Sequence, residues 1–466
     1  MILITIIFIA FFYGLIAIVF LLRLPRGSVF FMHPGSLFVI GQLLYVGGTL
    51  PLLDTRDSLD ISYLLMFLTT LICFVGGTAV TKFLMPITRN HLTRWNKAPF
   101  QRIERSRGVN FLVGSIIVVA LIICVWYYNA IGYNIFVASI RSLVLGVDPT
   151  FHDVTTARLN AYSGNKYFAP GYVNQFKNIL LPLLLLFLLG RFLFLRKRFD
   201  LLVAVTLAPF CLVFLLGTGQ RFYLFLISLV GAIFSYCHFP KVSGRTLTAA
   251  ISVTCVLLLG VGTLILGRTL SRVRNIDDAQ AVMRETVDRF VLAEQYGGLV
   301  GFHYVSGIDP VFGMDWINKL YGLLPGSRER VGRLTIDNTI HALMNGSTRG
   351  TAQMSLWSEA WYNFRSLGIS LFPFVLGASY QLVFARAVRG PKTLMRALIY
   401  MWIAIVLGSW VSGGPDFLLN QGLATVMILN GLVNLFAPYR AVQPAVRRWG
   451  PYLEAGAPHS PAMAGS

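Results

Sequence analysis

The chain has 466 residues, of which 56% are hydrophobic and 12% charged, and its mean hydropathy is +0.68. Soluble domains carry about 25% charged residues, so this composition excludes an ordinary soluble protein and indicates an integral membrane protein. The 39 Lys and Arg residues outnumber the 19 Asp and Glu residues, which gives a formal net charge of +20. The five cysteines lie in or beside apolar segments without metal-binding spacing, which argues against a disulfide framework or a zinc site.

Apolar segments that approach the length of a membrane span recur along the chain. A helix needs about 20 mainly apolar residues to cross about 30 Å of hydrocarbon. Eleven such segments are 2–22, 34–53, 61–84, 111–131, 179–195, 201–216, 222–237, 247–266, 369–385, 397–411 and 422–436. The sequence therefore predicts an all-α fold, a polytopic transmembrane helix bundle over 1–436. The remaining 437–466 is rich in Pro, Ala and Gly and is predicted to be a disordered cytoplasmic tail.

Basic residues predict the orientation of the bundle. Cytoplasmic loops carry an excess of Lys and Arg, and the segment 82–110 holds seven of them. Placing that segment inside puts the N-terminus outside and the C-terminus inside. The inner segments then hold 22 basic and three acidic residues, and the outer segments 17 basic and 16 acidic ones. Topology and contact with anionic lipid thus account for the net charge. Nucleic acid is not predicted as a partner, because the chain has no nucleic-acid-binding motif.

Two predicted extracytoplasmic loops are long, a medium one at 132–178 and a large one at 267–368. A membrane protein with one large polar loop usually acts there, so we expect the functional site on the outer face. Three helices are predicted in the large loop. They are Asp277 to about Gln295, ending at Gly297-Gly298; Met314–Leu324, with an apolar stripe suited to the bilayer surface; and Ser355–Phe364, with an aromatic face suited to an interfacial belt.

Several cations in these loops are candidates for binding a phosphate at headgroup depth. The turn Gly217-Thr218-Gly219-Gln220-Arg221 ends a span, and its two glycines should expose backbone N–H groups beside Arg221. The other candidate substrate-binding residues are Arg158, Tyr162 and Lys166 in the medium loop and Arg268, Arg272 and Arg349 in the large loop. The competing interpretation for all of them is contact with ordinary lipid phosphate or an ordinary polar loop.

The candidate bases are Glu359, His341, His303 and Asp337. Glu359 ranks first, since it lies close to the membrane in an aromatic setting that should raise the pKa of its carboxyl group. His341 is the competing catalytic candidate. Tyr362 and Asn363 follow Glu359 within about one helical turn, where they could orient a sugar. The competing interpretation of Glu359 is an interfacial charge paired with Arg365 or a lysine.

The sequence contains none of the common signatures of soluble enzymes, neither Walker A nor G-x-S-x-G nor H-E-x-x-H. A nucleotide-using enzyme that faced inward would need a cytoplasmic domain, and the predicted inner loops are too short for one. Any substrate is therefore expected at the outer face or within the bilayer, which favours lipid-linked donors.

Two segments carry a resemblance to a family. The turn GTGQRF at 217–222 resembles the Gly-rich Arg motif of the Wzy-type oligosaccharide repeat-unit polymerases, and Gly350–Gly377 resembles that family's later signature, which contains a Glu and an aromatic/Asn pair. The family's paired loop arginines have approximate counterparts in Arg158 and Arg349. The resemblance implies a multi-pass protein of the bacterial cytoplasmic (inner) membrane that transfers a glycan from undecaprenyl diphosphate to an incoming lipid-linked repeat unit.

The same resemblance implies metal-independent transfer and no cofactor. Its implied partners are lipid-linked oligosaccharide as donor and acceptor, membrane lipid, a chain-length regulator and a flippase. Three alternatives remain open from the residues. One is an O-antigen ligase. A second is a metal-dependent polyprenyl-phosphate glycosyltransferase that would use Asp54, Asp57 and Asp60 in the first outer loop. The non-enzyme alternative is a lipid-linked oligosaccharide flippase, which would need more charges within the spans than the sequence supplies.

Overall fold

The computed structural model describes residues 2–25, 28–54, 56–88, 91–92, 95, 98–100, 107–145, 170–195, 197–219, 222–238, 245–246, 248–249, 252, 293–324, 335–346 and 351–436. Regular structure in these residues is helical, apart from one isolated antiparallel bridge between Ser355 and Ser412. The all-α fold class is confirmed for the part of the chain that is described.

Ten of the described helices precede the large loop. They are α1 (Ile2–Arg23), α2 (Ser28–Met32), α3 (Pro34–Thr49), α4 (Ser58–Leu84), α5 (Arg107–Ile131), α6 (Ile135–Leu145), α7 (Pro170–Asn174), α8 (Leu181–Leu195), α9 (Arg198–Leu216) and α10 (Phe222–His238). One π-helical turn, Gln175–Leu180, joins α7 to α8. The later helices are α11 (Ala293–Ser306), α12 (Met314–Tyr321), α13 (Ile336–Asn345), α14 (Leu356–Phe364), α15 (Ser366–Arg389), α16 (Leu394–Gly408), α17 (Asp416–Asn420) and α18 (Leu423–Phe436).

Among the described residues, seven helical segments are long and apolar enough to cross a membrane, and three shorter apolar helices accompany them. The seven are Ile2–Arg23, Pro34–Leu52, Ser58–Leu84, Arg107–Ile131, Gly171–Phe194, Arg198–Leu216 and Ser366–Arg389. The shorter three are Tyr223–His238, Leu394–Gly408 and Leu423–Phe436. All ten fall on predicted spans, whereas the eighth predicted span, 247–266, lies almost wholly outside the described residues. The count of eleven spans and the orientation stay predictions.

The outer surface of the bundle is apolar, as contact with lipid requires. In α1, Ala17 is fully buried, while Ile4 and Phe8 are 72% and 61% exposed. Phe83 near the end of α4 is 86% exposed. Large apolar side chains exposed along whole helices would be unfavourable in water. Together with the long apolar helices, they indicate a helical membrane protein.

The buried side chains form two main cores that share α16. One core packs α5, α8, α9, α10 and α18 together with most of α16, including Trp402. The other packs α1, α3, α4, α14 and α15, and Leu407 near the end of α16 belongs to it. Helix α15 also contributes to both cores, since Phe384 and Val388 belong to the first, so α15 and α16 together join the two halves of the bundle.

Small residues allow α4 and α15 to pack closely. A Cβ atom added to Gly77 would overlap the backbone oxygen of Phe374, and one added to Gly377 would overlap that of Phe74. The Thr78 hydroxyl donates hydrogen bonds to the carbonyl oxygens of Phe74 and Gly377, at 3.0 and 3.2 Å. Membrane helices associate through such close contacts because lipid supplies little hydrophobic drive between them.

Gly77→Ala is expected to destabilise the bundle by about 1–3 kcal/mol, because the added methyl group forces the two helices apart. Gly76→Ala is the matched control, since its Cβ atom would lie 3.8 Å from the Phe374 ring, an ordinary contact. Both variants gain the same helix propensity, so their difference isolates packing. Thermal unfolding of the purified protein in detergent measures it, and equal midpoints for the two variants would contradict the expectation.

The loops meet at two ends of the bundle. Four contacts at one end join five segments that the charge bias places outside, namely the first outer loop, the medium loop, the GTGQR turn, the large loop and the segment 411–421 between the last two predicted spans. The contacts are His303 with Asp60, Leu356 with Val411, Ile135 with Gly217, and Gln175 with Leu419. At the other end, the Lys392 ammonium donates to the carbonyl oxygens of Trp95 and Ala98 in the basic segment 82–110. A chain that alternates across a membrane requires this grouping, and the charge bias predicts which end is outside.

Two of the three helices predicted in the large loop occur nearly as expected, as α12 and α14. Ser355 is the N-cap of α14, and its hydroxyl oxygen accepts a hydrogen bond from the Ser358 N–H at 3.0 Å. The predicted stop at Gly297-Gly298 is wrong, because α11 continues through both glycines to Ser306. A Cβ atom at Gly298 would overlap the Tyr45 hydroxyl, so this glycine serves close packing. Residues 277–292 lie outside the described residues.

Candidate functional site

Four acidic side chains surround one buried lysine at the end of the bundle where the predicted outer loops meet. The Lys319 Nζ atom lies 2.6 Å from Glu359 Oε1, 3.0 Å from Asp337 Oδ1 and 3.6 Å from Asp315 Oδ2. Asp416 also acts electrostatically on Lys319. These five residues come from α12, α13, α14 and α17, and we call them the Lys319 cluster.

Local sequence features turn these side chains toward one another. Asp315 and Lys319 are four residues apart and therefore share one face of α12, whose opposite face leaves Ile317 56% exposed. Thr335 and Asn338 form a capping box that begins α13 and places Asp337 in its first turn. The Ser355 cap begins α14 four residues before Glu359. Each segment thus contributes one polar face to the cluster.

Glu359 is fully buried, and both of its carboxylate oxygens accept hydrogen bonds. Oε1 accepts from Lys319, and Oε2 accepts from the Trp316 Nε1–H at 3.1 Å. A Cβ atom at Gly414 would come within 2.7 Å of Oε2, so a side chain there would displace the carboxylate. The Trp316 ring also packs against Phe372 at 5.1 Å. A carboxylate oxygen can accept two hydrogen bonds, so a substrate hydroxyl can reach Oε2 either beside the Trp316 N–H or in its place.

The cluster places a proton-exchanging carboxyl group beside a permanent positive charge. Burial raises the pKa of Glu359 to about 8; Lys319 opposes this rise, while Asp337 and Asp315 add to it. Burial lowers the pKa of Lys319, but the carboxylates of Glu359, Asp337 and Asp315 outweigh this and hold it well above its usual range. Because Lys319 has other carboxylate neighbours, it stays charged whether or not Glu359 carries a proton. A carboxyl group with a pKa near neutrality suits general acid–base catalysis.

The other described candidates lie close to the cluster in the chain. His341 is half-buried on α13, one turn after Asp337. Tyr362 is half-buried, and its carbonyl oxygen accepts a hydrogen bond from the Val311 N–H at 3.2 Å. The Asn363 side chain is buried and donates from Nδ2 to the Glu359 carbonyl oxygen at 2.9 Å. This amide group therefore stabilises its own helix in the present arrangement.

The remaining candidate substrate-binding residues lie outside the described residues. They are Arg158, Tyr162, Lys166, Arg221, Arg268, Arg272 and Arg349.

Glu359 does not pair with Arg365, which was one expectation for it. The Arg365 guanidinium donates hydrogen bonds to the carbonyl oxygens of Val305 and Ile308 and lies 5.2 Å from the centre of the Trp361 ring. Arg365 therefore caps the end of α11, and the lysine that pairs with Glu359 is Lys319.

The surface roles predicted for α14 and α12 are wrong in part. Leu356 and Trp357 of α14 are buried, and the Trp357 Nε1–H donates to Gln42 Oε1 at 3.1 Å. They belong to the core because α14 packs against the membrane helices. Trp316 of α12 faces Glu359, whereas Ile317 and Leu324 are exposed as the bilayer-surface prediction requires.

The described part of the GTGQR turn, Gly217–Gly219, is tightly packed. Gly219 has φ +73°, a conformation that favours glycine. Its N–H donates to the Leu216 carbonyl oxygen at 2.8 Å, so the expectation that both glycines expose their N–H groups is wrong for Gly219. Beneath the turn lies Lys177, fully buried, whose Nζ donates to Thr218 Oγ1 at 2.9 Å and to Asn178 Oδ1 at 3.0 Å.

The sequence analysis did not single out Lys319, Asp315 or Asp416 of the Lys319 cluster, nor Lys177 beneath the GTGQR turn. The available signal for the first two was an acid and a lysine four residues apart on an otherwise apolar short helix. Lys177 had no such signal, because its neighbours Asn178 and Thr218 are uncharged and 41 residues separate Lys177 from Thr218.

No family model matches the chain, and no curated protein and no solved structure matches it. The function therefore rests on the residues themselves. The described site offers a buried carboxyl group that can accept a proton near neutral pH and a lysine that keeps its charge. This arrangement can activate a hydroxyl group for transfer.

Proposed function

We propose that the protein polymerises undecaprenyl-diphosphate-linked oligosaccharide repeat units at the outer face of a bacterial cytoplasmic membrane. The observation that carries the proposal is the buried Glu359 carboxyl group, whose pKa is raised to about 8. It lies within the segment 350–377 that resembles the polymerase signature, at the bundle end where the predicted outer loops meet. A site at the membrane surface gives lipid-linked donor and acceptor direct access.

The transfer breaks one bond and forms one. The bond between the glycan's anomeric carbon and the diphosphate oxygen breaks, and the acceptor hydroxyl oxygen forms the new glycosidic bond. The hydroxyl proton passes to Glu359, and undecaprenyl diphosphate leaves with its negative charge. A diphosphate leaving group needs cations more than a proton donor. Arg221 is proposed for that role, with Arg158, Arg268, Arg272 and Arg349 as further contacts.

The buried lysine beneath the GTGQR turn supports an anion site there. The described hydrogen bonds of Lys177 go to Asn178 and Thr218, which are both neutral. An ammonium group at this buried position would have only neutral partners among the described residues, which is costly, and an anion bound at the turn would offset that cost. The position of Lys177 thus supports a negatively charged group bound at the turn, whose last residue is Arg221.

Trp316→Phe is expected to move the pH dependence of transfer to higher pH. The substitution removes the N–H that stabilises the ionised Glu359 and keeps an aromatic ring between Phe364 and Phe372. The base then ionises at higher pH, because a hydrogen bond to its charged form is lost. Initial rates measured between about pH 6 and 10, a range that spans the Glu359 transition, give the shift. An unchanged pH profile would show that Trp316 does not influence the pKa of the catalytic base.

Glycan chain length in a deletion strain tests the function itself. Loss of long chains with single repeat units retained is the result expected of a polymerase, and the intact gene should restore the long chains. Loss of all glycan from the terminal acceptor would indicate the ligase alternative. A normal chain-length distribution in the deletion strain would overturn both.

The outer location of the site is a separate prediction. A cysteine at Ser306, at the end of α11, is expected to react with a membrane-impermeant thiol reagent added outside intact cells, because the charge bias places the large loop outside. A cysteine at Thr88, in the segment at the other end of the bundle, is the control and should react only after the membrane is opened. The reverse pattern would contradict the proposed function.

A further inference from the structure

A second polar group joins the first predicted outer loop to the large loop. The His303 Nε2 atom of α11 lies 2.6 Å from Asp60 Oδ1 at the start of α4, and His303 Nδ1 lies 3.7 Å from Asp57 Oδ2. One ligand atom from each of the three residues lies within 4.8 Å of the others. Sequence reasoning grouped Asp54, Asp57 and Asp60 without the histidine, which is 243 residues from Asp60.

The three side chains are a suitable donor set for a divalent transition metal. One imidazole and two carboxylates suit Zn²⁺ or Mn²⁺ better than Mg²⁺ or Ca²⁺, which prefer oxygen ligands alone. Metal–ligand bonds of about 2.0–2.2 Å place two ligand atoms of a tetrahedral site roughly 3.3–3.6 Å apart. One ligand atom from each residue already lies within 4.8 Å of the others, so side-chain rotations can bring one His303 nitrogen and one oxygen of each carboxylate around a single ion.

The second oxygen of each carboxylate is held by the backbone. Asp60 Oδ2 accepts from the Asp54 N–H at 2.5 Å, and Asp57 Oδ1 accepts from the Leu59 N–H at 2.8 Å. Such outer hydrogen bonds orient the ligands of metal sites. The Asp60 side chain is 2% exposed, whereas those of Asp57 and His303 are 35% and 32% exposed. The group is thus fixed on its inner side and open to water on its outer side, where an ion can enter.

We propose that Asp57, Asp60 and His303 bind one divalent cation, of the zinc or manganese type, that links the first outer loop to α11. The cation balances the charge of the two neighbouring carboxylates. These residues share no described hydrogen bond or ion pair with the Lys319 cluster. The proposed role is therefore to hold the two loops together, independently of the transfer reaction.

Metal content of the purified protein tests the site. The full chain in detergent is treated with a chelator, incubated with ZnCl₂ or MnCl₂, separated from free metal and analysed by mass spectrometry. The wild type is expected to retain about one equivalent of one of these metals, and Asp60→Asn and His303→Gln are expected to bind at least about tenfold more weakly. Asp309→Asn removes an exposed carboxylate near the end of α11 and should retain the wild-type content.

Chemical modification of the wild-type protein tests the same site without variants, which matters if the variants do not fold. Bound Zn²⁺ should protect His303 from diethyl pyrocarbonate, whereas the exposed His91 at the other end of the bundle should react equally with and without the metal. Equal modification of His303 in both conditions, or no metal retained by the wild type, would overturn the proposal. So would unchanged metal affinity in a folded Asp60→Asn variant, which would leave the group as an ion pair alone.

Discussion

Glu359→Gln is expected to lower the rate of repeat-unit polymerisation by about 10²–10⁴-fold, the usual contribution of a general base. The amide keeps the size of the side chain but cannot take the proton from the acceptor hydroxyl. Lys319 retains Asp337 and Asp315 as charged neighbours, so the variant is expected to fold. An assay with a synthetic lipid-linked repeat unit and purified protein gives the rate.

The pH dependence makes this test specific. Since Glu359 acts as a base only when ionised and its pKa is raised to about 8, the wild-type rate should rise as pH increases toward that value and then level off. Residual activity in Glu359→Gln should lack this rise. Asp309→Asn, an equivalent change at an exposed carboxylate, should behave as the wild type does. Full activity in Glu359→Gln would remove the residue from the mechanism and leave His341→Gln as the next variant to measure.

The membrane helices could be predicted because the signal for each is local. Every span that falls on described helices carries its own apolar run, as α1 and α4 do. The start of α14 was predictable for the same reason, since Ser355 caps the helix through an atom three residues away. Gly297 and Gly298 misled the prediction, because a glycine pair stops an exposed helix but also permits close packing. Gly298 packs against the Tyr45 hydroxyl, which lies about 250 residues earlier in the chain, so local sequence could not reveal the contact.

The site was predictable only in its most local part. Glu359 could be singled out from the tryptophans around it, which predict burial and a raised carboxyl pKa. Lys319 could not, because its role depends on contacts with Asp337 and Glu359, 18 and 40 residues further on. The apolar face of α12 predicted a helix on the bilayer surface, and that face is indeed exposed at Ile317. The opposite, polar face of α12 carries Asp315 and Lys319. Tertiary packing determines which residues these two contact, and that information is not local in the sequence.

Lys319→Met is expected to cause the largest loss of stability of any single change in the cluster, about 3–5 kcal/mol. The methionine fills a similar volume but leaves the buried carboxylates of Glu359, Asp337 and Asp315 without their cation. Thermal unfolding in detergent measures the loss. Lys82→Met, at an exposed position near the end of α4, is the control and should unfold close to the wild-type temperature.

The stability deficit of Lys319→Met should depend on pH in a defined direction. A carboxyl group whose pKa is raised by folding contributes stability at low pH, and the contribution is lost as pH rises through the folded-state pKa. For Glu359 that value is about 8 in the wild type, and removal of Lys319 raises it further. The deficit should therefore be largest in alkaline buffer and shrink as pH falls and the carboxylates take up protons. Adding Glu359→Gln to Lys319→Met should recover about 0.5–3 kcal/mol, because one uncompensated charge is removed. A deficit that is equal at all pH values and is not relieved in the double variant would mean that Lys319 contributes packing rather than charge.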